Sequence, residues 1–422
     1  MKNLDKIEVC IFDIKVGVLA FDKEKSISYF QYYPNFLEPE SYLNIFPIGI
    51  KKTPMVQKFK TYNTVFNGLP PQIADSLPDD FGNRIFNEWL KLKKVDIKAI
   101  SPVYQLAYLS KRGMGALEYI PGLELRKKEN QTIDFDKITG VLNIIMDSKR
   151  DYNEIQLDDL SLLNIYHLGT SMGGARPKVV VSEHRITNQI IPGDVTFSNE
   201  YNHYLVKLNL GKDSYNKELV EYAYYKMATC VGLDMMPCKM IDGKHFATLR
   251  YDRINGEKVH VLTASGISGY SFRDPEMSSY ENLFKIANKI KIPPADMDAL
   301  FRRMVFNFTF KNVDDHLKNH SFIFDRKTNK WRLSKSYDIN YPLDALNKYL
   351  NSPHALSLNK KRVNINITDL MLMADLYGIK NPNKIIKEVN KGICLWDEIA
   401  EALHIPTRVK DAIKKDFTNF LI

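Results

Sequence analysis

The segment from Phe306 to Asp338 places three polar residues at fixed spacing around short apolar runs. Asp314 follows a run rich in aromatic residues, and Asn319 comes five residues after it. Two strand-like runs, SFIF and WRLS, then precede Asp338. A chain with this order is expected to carry two acids and an amide on loops that flank a hairpin. The segment therefore predicts a polar site built on rigid elements.

The same spacing is the polar skeleton of phosphoryl transfer in protein kinases. In those enzymes one Asp accepts the proton of the substrate hydroxyl, while an Asn and a second Asp hold magnesium. Asp314 is therefore the candidate catalytic base, and Asn319 and Asp338 are candidate Mg²⁺ ligands. Lys318 lies where a cation could neutralise the transferred phosphate. The adjacent acid, Asp315, is an alternative base.

Candidate ATP-binding residues lie upstream. Lys207 is near the end of a strand-like run, and Glu221 lies on the predicted helix that follows, with Glu218 as a rival. In kinases a strand Lys contacts the α- and β-phosphates and is oriented by a helix Glu. These residues therefore predict an ion pair at the nucleotide.

The turn GTSMGGARPK could bring backbone N–H groups to phosphates. It matches neither the kinase GxGxxG pattern nor the GxxxxGK[ST] P-loop. Ser171 at its tip is a candidate phosphate acceptor close to Arg176 and Lys178.

Composition limits the class of protein. The chain has 422 residues, of which 44% are hydrophobic and 26% charged, as in a soluble globular protein of two or three domains. The four cysteines form no CxxC pair, which favours a reducing compartment. Without a signal peptide or a long apolar run, a cytoplasmic protein is expected. The net charge of +9 indicates a solvated basic surface or a patch that meets phosphates.

The order of predicted elements indicates a two-lobed enzyme with an extra N-terminal subdomain. A β-rich part is followed by a strand–helix–strand part and then by a helical part. The predicted helices include Phe81–Leu92, Pro102–Leu109, Lys217–Cys230, Asp296–Phe308 and Pro382–Leu403, the last broken near Gly392. The polar stretch Lys127–Asp159 is the predicted linker.

Motifs along almost the whole chain resemble the HipA family of bacterial Ser/Thr kinases, the toxins of toxin–antitoxin modules. The matching segments are GLPPQIADSLPDDFGNRIF, MGALEY, TSMGGARPKVVV, LVKL, LRYDR, NVDDHLKNHSF and SKSYDIN. The resemblance implies an α+β, two-lobed protein-kinase-like fold. Its expected parts are a β-rich N-terminal subdomain over 1–125, a kinase N-lobe over 126–255 and an all-helical C-lobe over 256–422.

The resemblance also implies roles for individual residues. Asp314 corresponds to the base, Asn319 and Asp338 to the Mg²⁺ ligands, and Lys207 to the ATP-phosphate lysine. The glycine-rich loop would supply nucleotide-binding residues, namely Gly173, Gly174, Ala175, Arg176 and Lys178. Ser171 lies where family members autophosphorylate. Phosphate there would add about −1.5 to −2 charge to a loop that must close over ATP.

Partners follow from the same resemblance. Family members pair with a helix-turn-helix antitoxin, HipB, and the complex binds its operator. A HipB-like antitoxin, indirect contact with DNA and no membrane contact are therefore expected. Family targets include aminoacyl-tRNA synthetases, which predicts a protein substrate in translation. The ARPK sequence differs from the corresponding loop of some family members. The way in which this loop covers the bound nucleotide is therefore expected to differ as well.

Two other classes of function fit the residues. A small-molecule or lipid kinase uses the same skeleton. A catalytically silent module could bridge an antitoxin on DNA, but scaffolding would not require Asp314, Asn319 and Asp338 together.

Overall fold

The computed structural model describes residues 4–62, 65–78, 80–92, 94–96, 100–122, 132–145, 176–193, 198–347 and 352–421. The chain forms two compact units. The first is Met1–Leu210 with Ala247–Leu262, and the second is Gly211–Phe246 with Thr263–Ile422. The first unit thus includes the predicted N-terminal subdomain and much of the predicted N-lobe, and the three-domain division stays a prediction.

Strands and helices are numbered along the described chain. The strands are β1 Lys6–Ile11, β2 Ile14–Asp22, β3 Ile27–Tyr32, β4 Gln57–Phe59, β5 Leu117–Ile120, β6 Lys178–His184, β7 Ile190–Pro192, β8 Tyr201–Lys207, β9 Cys238–Ile241, β10 His245–Leu249, β11 Arg253–Ile254, β12 Glu257–Lys258, β13 Val261–Thr263, β14 Ser321–Asp325 and β15 Lys330–Leu333. The helices are α1 Pro34–Leu37, α2 Pro71–Ala74, α3 Asp80–Leu92, α4 Pro102–Leu109, α5 Phe135–Ile145, α6 Lys217–Cys230, α7 Ala264–Ser268, α8 Tyr280–Lys289, α9 Pro294–Thr309, α10 Ile367–Tyr377, α11 Pro382–Asn390, α12 Gly392–Ala402 and α13 Thr407–Lys414.

The first unit contains an antiparallel sheet in the order β4-β3-β2-β1-β5. Alternation along β1 sends Ile7, Val9 and Ile11 into the core. Phe12 and Asp13 join β1 to β2 with φ of 51° and 63°, as a two-residue type I′ turn requires. The hairpin therefore turns before Gly17, which lies beside the register shift in β1.

Gly17 leaves no room for a side chain. A Cβ there would lie 2.3 Å from the backbone oxygen of Gln31 on β3. We expect Gly17→Ala to lower the free energy of unfolding by about 1 to 3 kcal/mol, because it forces β2 and β3 apart. Urea denaturation followed by circular dichroism measures the effect.

Gly140 provides the matched control. It lies in the interior of α5, and a Cβ there would meet nothing within 4 Å. Gly140→Ala should raise the free energy of unfolding by up to about 1 kcal/mol, because alanine favours helix. Equal effects of the two substitutions would contradict the proposed steric cause.

A second sheet has five strands, in the order β7-β6-β8-β10-β9. Helix α5 precedes it and buries Phe135, Leu142 and Ile145. The prediction of a linker over Lys127–Asp159 is therefore wrong for this part of the stretch. The prediction followed the polar residues of the stretch as a whole and overlooked the apolar residues that recur at helical spacing within it.

A buried ionic cluster joins two parts of the first unit that are distant in sequence. Asp252 accepts hydrogen bonds from Arg250 Nε (2.9 Å), Arg253 Nη1 (2.9 Å) and the Gly115 amide (2.9 Å). Arg253 in turn donates to the Gly113 and Gly115 carbonyls, both at 2.9 Å. The family segments MGALEY and LRYDR meet at this cluster.

The second unit is mainly helical. Asn216 caps α6 by accepting from the Leu219 amide at 3.0 Å, and the buried face of α6 carries residues at helical spacing, such as Val220, Tyr224 and Met227. Tyr224 donates to the Phe310 carbonyl at 2.8 Å, just beyond the end of α9. The predicted break near Gly392 is confirmed, since α11 ends at Asn390 and α12 begins at Gly392.

The hairpin β14–β15 is the main departure from the expected all-helical C-lobe, although the SFIF and WRLS runs predict it. Asp296, near the start of α9, accepts from Arg332 (2.7 and 2.8 Å) and from the Leu333 amide (2.9 Å). Helix α9 therefore leads into the loop before the hairpin and also holds the hairpin's second strand. In the described part of the chain, no helix combines the length and apolar character needed to cross a membrane.

Candidate active site

The loop between α9 and β14 presents Asp314 to solvent. The Asp314 side chain is 57% exposed. Its backbone oxygen accepts a hydrogen bond from Asn319 Nδ2 at 2.7 Å, and His316 Nε2 lies 3.6 Å from its Oδ1. Residues Leu317–Asn319 form one turn of 3₁₀-helix. The loop therefore offers an exposed carboxylate next to an amide whose nitrogen is already engaged.

Asp315 has the opposite environment, with a fully buried side chain. Its Oδ2 accepts from Tyr280 Oη at 2.6 Å and from His354 Nδ1 at 3.1 Å, and its Oδ1 accepts from the Leu356 amide at 3.2 Å. Its backbone oxygen accepts from His320 Nε2 at 3.1 Å. An acid held in this way is not accessible to a substrate hydroxyl.

Electrostatics keep Asp315 ionised. Burial alone would raise its pKa, but the interaction with His354 and the hydrogen bonds from Tyr280 and Leu356 together hold the pKa below its ordinary value. Burial and the Asp315 charge raise the pKa of Tyr280 far above its usual range, so the phenol stays protonated and donates. Burial lowers the pKa of His320 to about 3, so its ring is neutral at physiological pH.

A second layer of side chains supports Tyr280. Asn307 Nδ2 on α9 donates to Tyr280 Oη at 3.0 Å, and Asn312 Nδ2 donates to Asn307 Oδ1 at 2.9 Å. Both asparagines are buried. The end of α9 therefore contacts the Asp315 network directly.

Asp338 follows β15 on a separate loop. Its backbone has φ of 55°, a conformation that Asp adopts more readily than most residues, and its Oδ1 accepts from Asn340 Nδ2 at 3.1 Å. The preceding Tyr337 donates to the Lys318 carbonyl at 2.7 Å and shares a 2.6 Å hydrogen bond with Ser321 Oγ. Tyr337 thus ties the Asp338 loop to the Asp314 loop.

The donor set fits magnesium. Because Asn319 donates through Nδ2, its Oδ1 is turned away from the Asp314 carbonyl, and Asp338 adds a carboxylate. These are the hard oxygen donors that Mg²⁺ prefers, with water and phosphate in its other positions. Within the described ranges, no group of three or more His, Cys, Asp or Glu side chains could hold a metal ion by itself. Water and phosphate oxygens would have to complete the coordination of an ion held by Asn319 and Asp338.

Lys318 lies beside aromatic rings. Its Nζ is 5.2 Å from the centroid of the Phe272 ring, and that ring is 5.3 Å from the ring of His316. This cation–π contact directs the Lys318 ammonium group toward the Phe272 ring. Neutralisation of phosphate by Lys318 stays a prediction.

Two buried lysines lie opposite each other at the end of the second sheet. Lys178, at the start of β6, pairs in register with Lys207, at the end of β8. They are 2% and 7% exposed. Directly opposed residues of an antiparallel pair lie on one face, where like charges repel. The register therefore places two cationic side chains on one face at this end of the sheet.

The other nucleotide-binding predictions are only partly described. Glu221 and its rival Glu218 are both buried on α6. Arg176 is partly exposed just before β6. The predicted phosphorylation site Ser171 and the predicted nucleotide-binding residues Gly173, Gly174 and Ala175 lie outside the described residues.

Sequence reasoning missed the surroundings of Asp315. It treated Asp315 as a rival base and assigned no role to Tyr280, His354 or Asn307. Tyr280 and His354 lie 35 and 39 residues from Asp315, so no local motif links them.

Comparisons with known proteins agree with this architecture. The HipA N-terminal domain matches residues 7–120, and the HipA-like C-terminal domain matches residues 170–402. No curated protein sequence matches the chain.

A solved HipA structure shares the fold of this chain. One chain of the Shewanella oneidensis MR-1 complex of HipA, HipB and operator DNA matches with a TM-score of 0.64 and 17% identity, over 97% of this chain and 95% of that one. The Helicobacter pylori proinflammatory kinase CtkA matches with a TM-score of 0.35 and 15% identity, over 51% of this chain and 88% of that one. The α+β kinase-like fold expected from the sequence is confirmed. With family domains matched over most of its length, the chain belongs to the HipA family.

Proposed function

We propose that this protein is an ATP-dependent Ser/Thr protein kinase that acts as the toxin of a toxin–antitoxin module. The observation that carries the proposal is the contrast between the two adjacent acids. The Asp314 side chain is exposed and its carbonyl oxygen accepts from Asn319, while the Asp315 side chain is buried and accepts three hydrogen bonds. Only the first of these acids can meet an incoming hydroxyl.

In the proposed reaction, Asp314 accepts the proton of a protein Ser or Thr hydroxyl. The hydroxyl oxygen forms a bond to the γ-phosphorus as the bond from that phosphorus to the ADP oxygen breaks. Asn319 and Asp338 would hold Mg²⁺, which when bound neutralises phosphate charge. Lys178 and Lys207 would hold phosphate oxygens, and Lys318 would stabilise the charge that develops during transfer.

The partner and the regulation are proposed from the family. A HipB-like helix-turn-helix antitoxin is the proposed partner, because the solved HipA that shares this fold is in a complex with HipB and operator DNA. Contact with DNA would be through that complex, in the cytoplasm. Ser171 is the proposed site of self-phosphorylation, which would place a phosphate in the loop that covers ATP.

Labelled ATP tests the kinase and its metal site together. Wild type incubated with Mg²⁺ and γ-labelled ATP should become labelled, and mass spectrometry should map the label to Ser171. Asp338→Ala should lose at least about 100-fold in rate, because Mg²⁺ loses its charged ligand. The thermal midpoint should fall by no more than a few degrees, because Asp338 lies on a partly exposed loop but alanine adopts its φ of 55° less readily than aspartate.

Asp325→Ala is the control, because Asp325 is an acid at the end of β14 whose side chain accepts hydrogen bonds from the turn of the hairpin. It should keep the wild-type rate. Full activity in Asp338→Ala would contradict the metal site. Transfer to a lipid or small molecule, with none to protein, would replace the proposed substrate class.

A further inference from the structure

The Asp315 carboxylate is the meeting point of three chain segments in the second unit. Tyr280 belongs to the first turn of α8, Asp315 to the loop after α9, and His354 and Leu356 to the stretch before α10. The loop after α9 supplies the carboxylate, and the other two segments donate hydrogen bonds to it at distances of 2.6 to 3.2 Å. The carboxylate therefore fixes their relative positions.

The stretch that contains His354 is held to the same loop by its backbone. The Ala355 amide donates to the Val313 carbonyl at 2.8 Å. Arg362 donates to the His354 carbonyl at 3.0 Å and to the Ala355 carbonyl, and it also reaches the Pro275 carbonyl at 2.7 Å. One guanidinium therefore joins this stretch to the turn that leads into α8.

The network acts on the loop that presents Asp314. Asn319 donates to the Asp314 carbonyl and His320 donates to the Asp315 carbonyl, so both consecutive carbonyl groups are held by side chains of the same loop. The Asp315 carboxylate is held in addition by Tyr280 and His354. A shift of Asp315 would therefore move the Asp314 side chain.

We propose that Tyr280, Asp315 and His354 form a latch that positions Asp314 for phosphoryl transfer. None of the three touches the substrate, so they are positioning residues. The proposal rests on the kinase function proposed above. In a reaction that depends on alignment, a misplacement of about 1 Å can cost about 100-fold in rate.

Tyr280→Phe tests the latch, because it removes one donor to Asp315 and keeps the ring. We expect kcat for ATP turnover by the full chain to fall by about tenfold to 100-fold, with the KM for ATP changed less than about twofold. His354→Ala should lower kcat by a similar factor. His354→Asn should recover part of the loss, since its amide keeps a donor near the Nδ1 position.

Tyr377→Phe is the matched control. Tyr377 Oη donates to the Glu281 carbonyl at 3.1 Å, so this substitution also removes one tyrosine hydrogen bond next to α8 but leaves Asp315 untouched. It should keep the wild-type kcat. Hydrogen exchange of the amides in 313–320 and 354–358 gives a second readout that does not need catalysis. Of the two tyrosine variants, only Tyr280→Phe should accelerate this exchange.

Each outcome decides the proposal. A fall in kcat with unchanged KM and faster exchange in both segments supports the latch. Wild-type kcat in Tyr280→Phe overturns it, as does a kcat loss that Tyr377→Phe reproduces. If wild type itself turns over no ATP, the proposed function fails, and exchange alone then decides whether the latch holds the loop.

Discussion

Replacing Asp252 with alanine should lower the free energy of unfolding by about 3 to 5 kcal/mol. The carboxylate is buried between the guanidinium groups of Arg250 and Arg253. Its removal takes away the carboxylate that lies between these two buried cations, and it also leaves the Gly115 amide without its acceptor. Urea denaturation followed by tryptophan fluorescence measures the loss.

Two further variants separate charge from packing. Asp252→Asn keeps the shape and removes the charge, so a loss close to that of alanine assigns the effect to the charge. Lys25→Ala breaks an exposed ion pair with Asp22 in the same unit and should leave the urea midpoint nearly unchanged. A small effect of both Asp252 variants would contradict the role given to the cluster.

The pH dependence of stability gives an independent check. Burial alone would raise the pKa of Asp252, but Arg250 and Arg253 outweigh it and hold the pKa far below its ordinary value. The stabilisation is therefore complete above about pH 4, where the unfolded Asp ionises, and is lost as the pH falls further. Burial lowers the pKa of Arg253 to about 9, so the guanidinium stays charged at neutral pH. Wild type should lose more stability on acidification than Asp252→Asn.

The sequence predicted elements best where apolar spacing and end signals agree. The predicted helices Pro102–Leu109 and Lys217–Cys230 have the same bounds in the structure, because Pro102 and the caps Ser101 and Asn216 mark where they begin. Helix α5 was predicted as linker although Phe135, Val141, Leu142 and Ile145 recur at helical spacing, because the prediction weighed the polar composition of the whole stretch above the spacing within it. A short helix inside a mostly polar stretch is thus found from its apolar spacing and not from the composition around it.

The sequence predicted which residues form the candidate site, but it did not predict which of them are buried and which are exposed. Asp314 and Asp315 are chemically identical neighbours in the sequence. Only long-range contacts with Tyr280 and His354 make Asp315 a buried anchor and leave Asp314 exposed. Similarly, the register of β6 and β8 sets Lys178 opposite Lys207, although they lie in separate motifs.

The contrast between the two acids yields the largest expected effect on catalysis. Asp314→Asn should lower the rate of phosphoryl transfer by about 100-fold to 10,000-fold, the range for loss of a general base. Its thermal midpoint should stay within a degree or two of wild type, because the side chain is largely exposed. Labelled ATP and differential scanning fluorimetry measure the two quantities on the same sample.

Asp315→Asn should behave differently, since the new amide would oppose donors from Tyr280, His354 and the Leu356 amide. It should lower the thermal midpoint by several degrees, because a buried anion and its hydrogen bonds are lost. Activity should fall as well, through displacement of the loop. A stable but inactive Asp315→Asn beside an active Asp314→Asn would reverse the assignment and make Asp315 the base. Loss of activity without loss of stability at Asp314, and loss of both at Asp315, would assign proton acceptance to the exposed acid and loop positioning to the buried one.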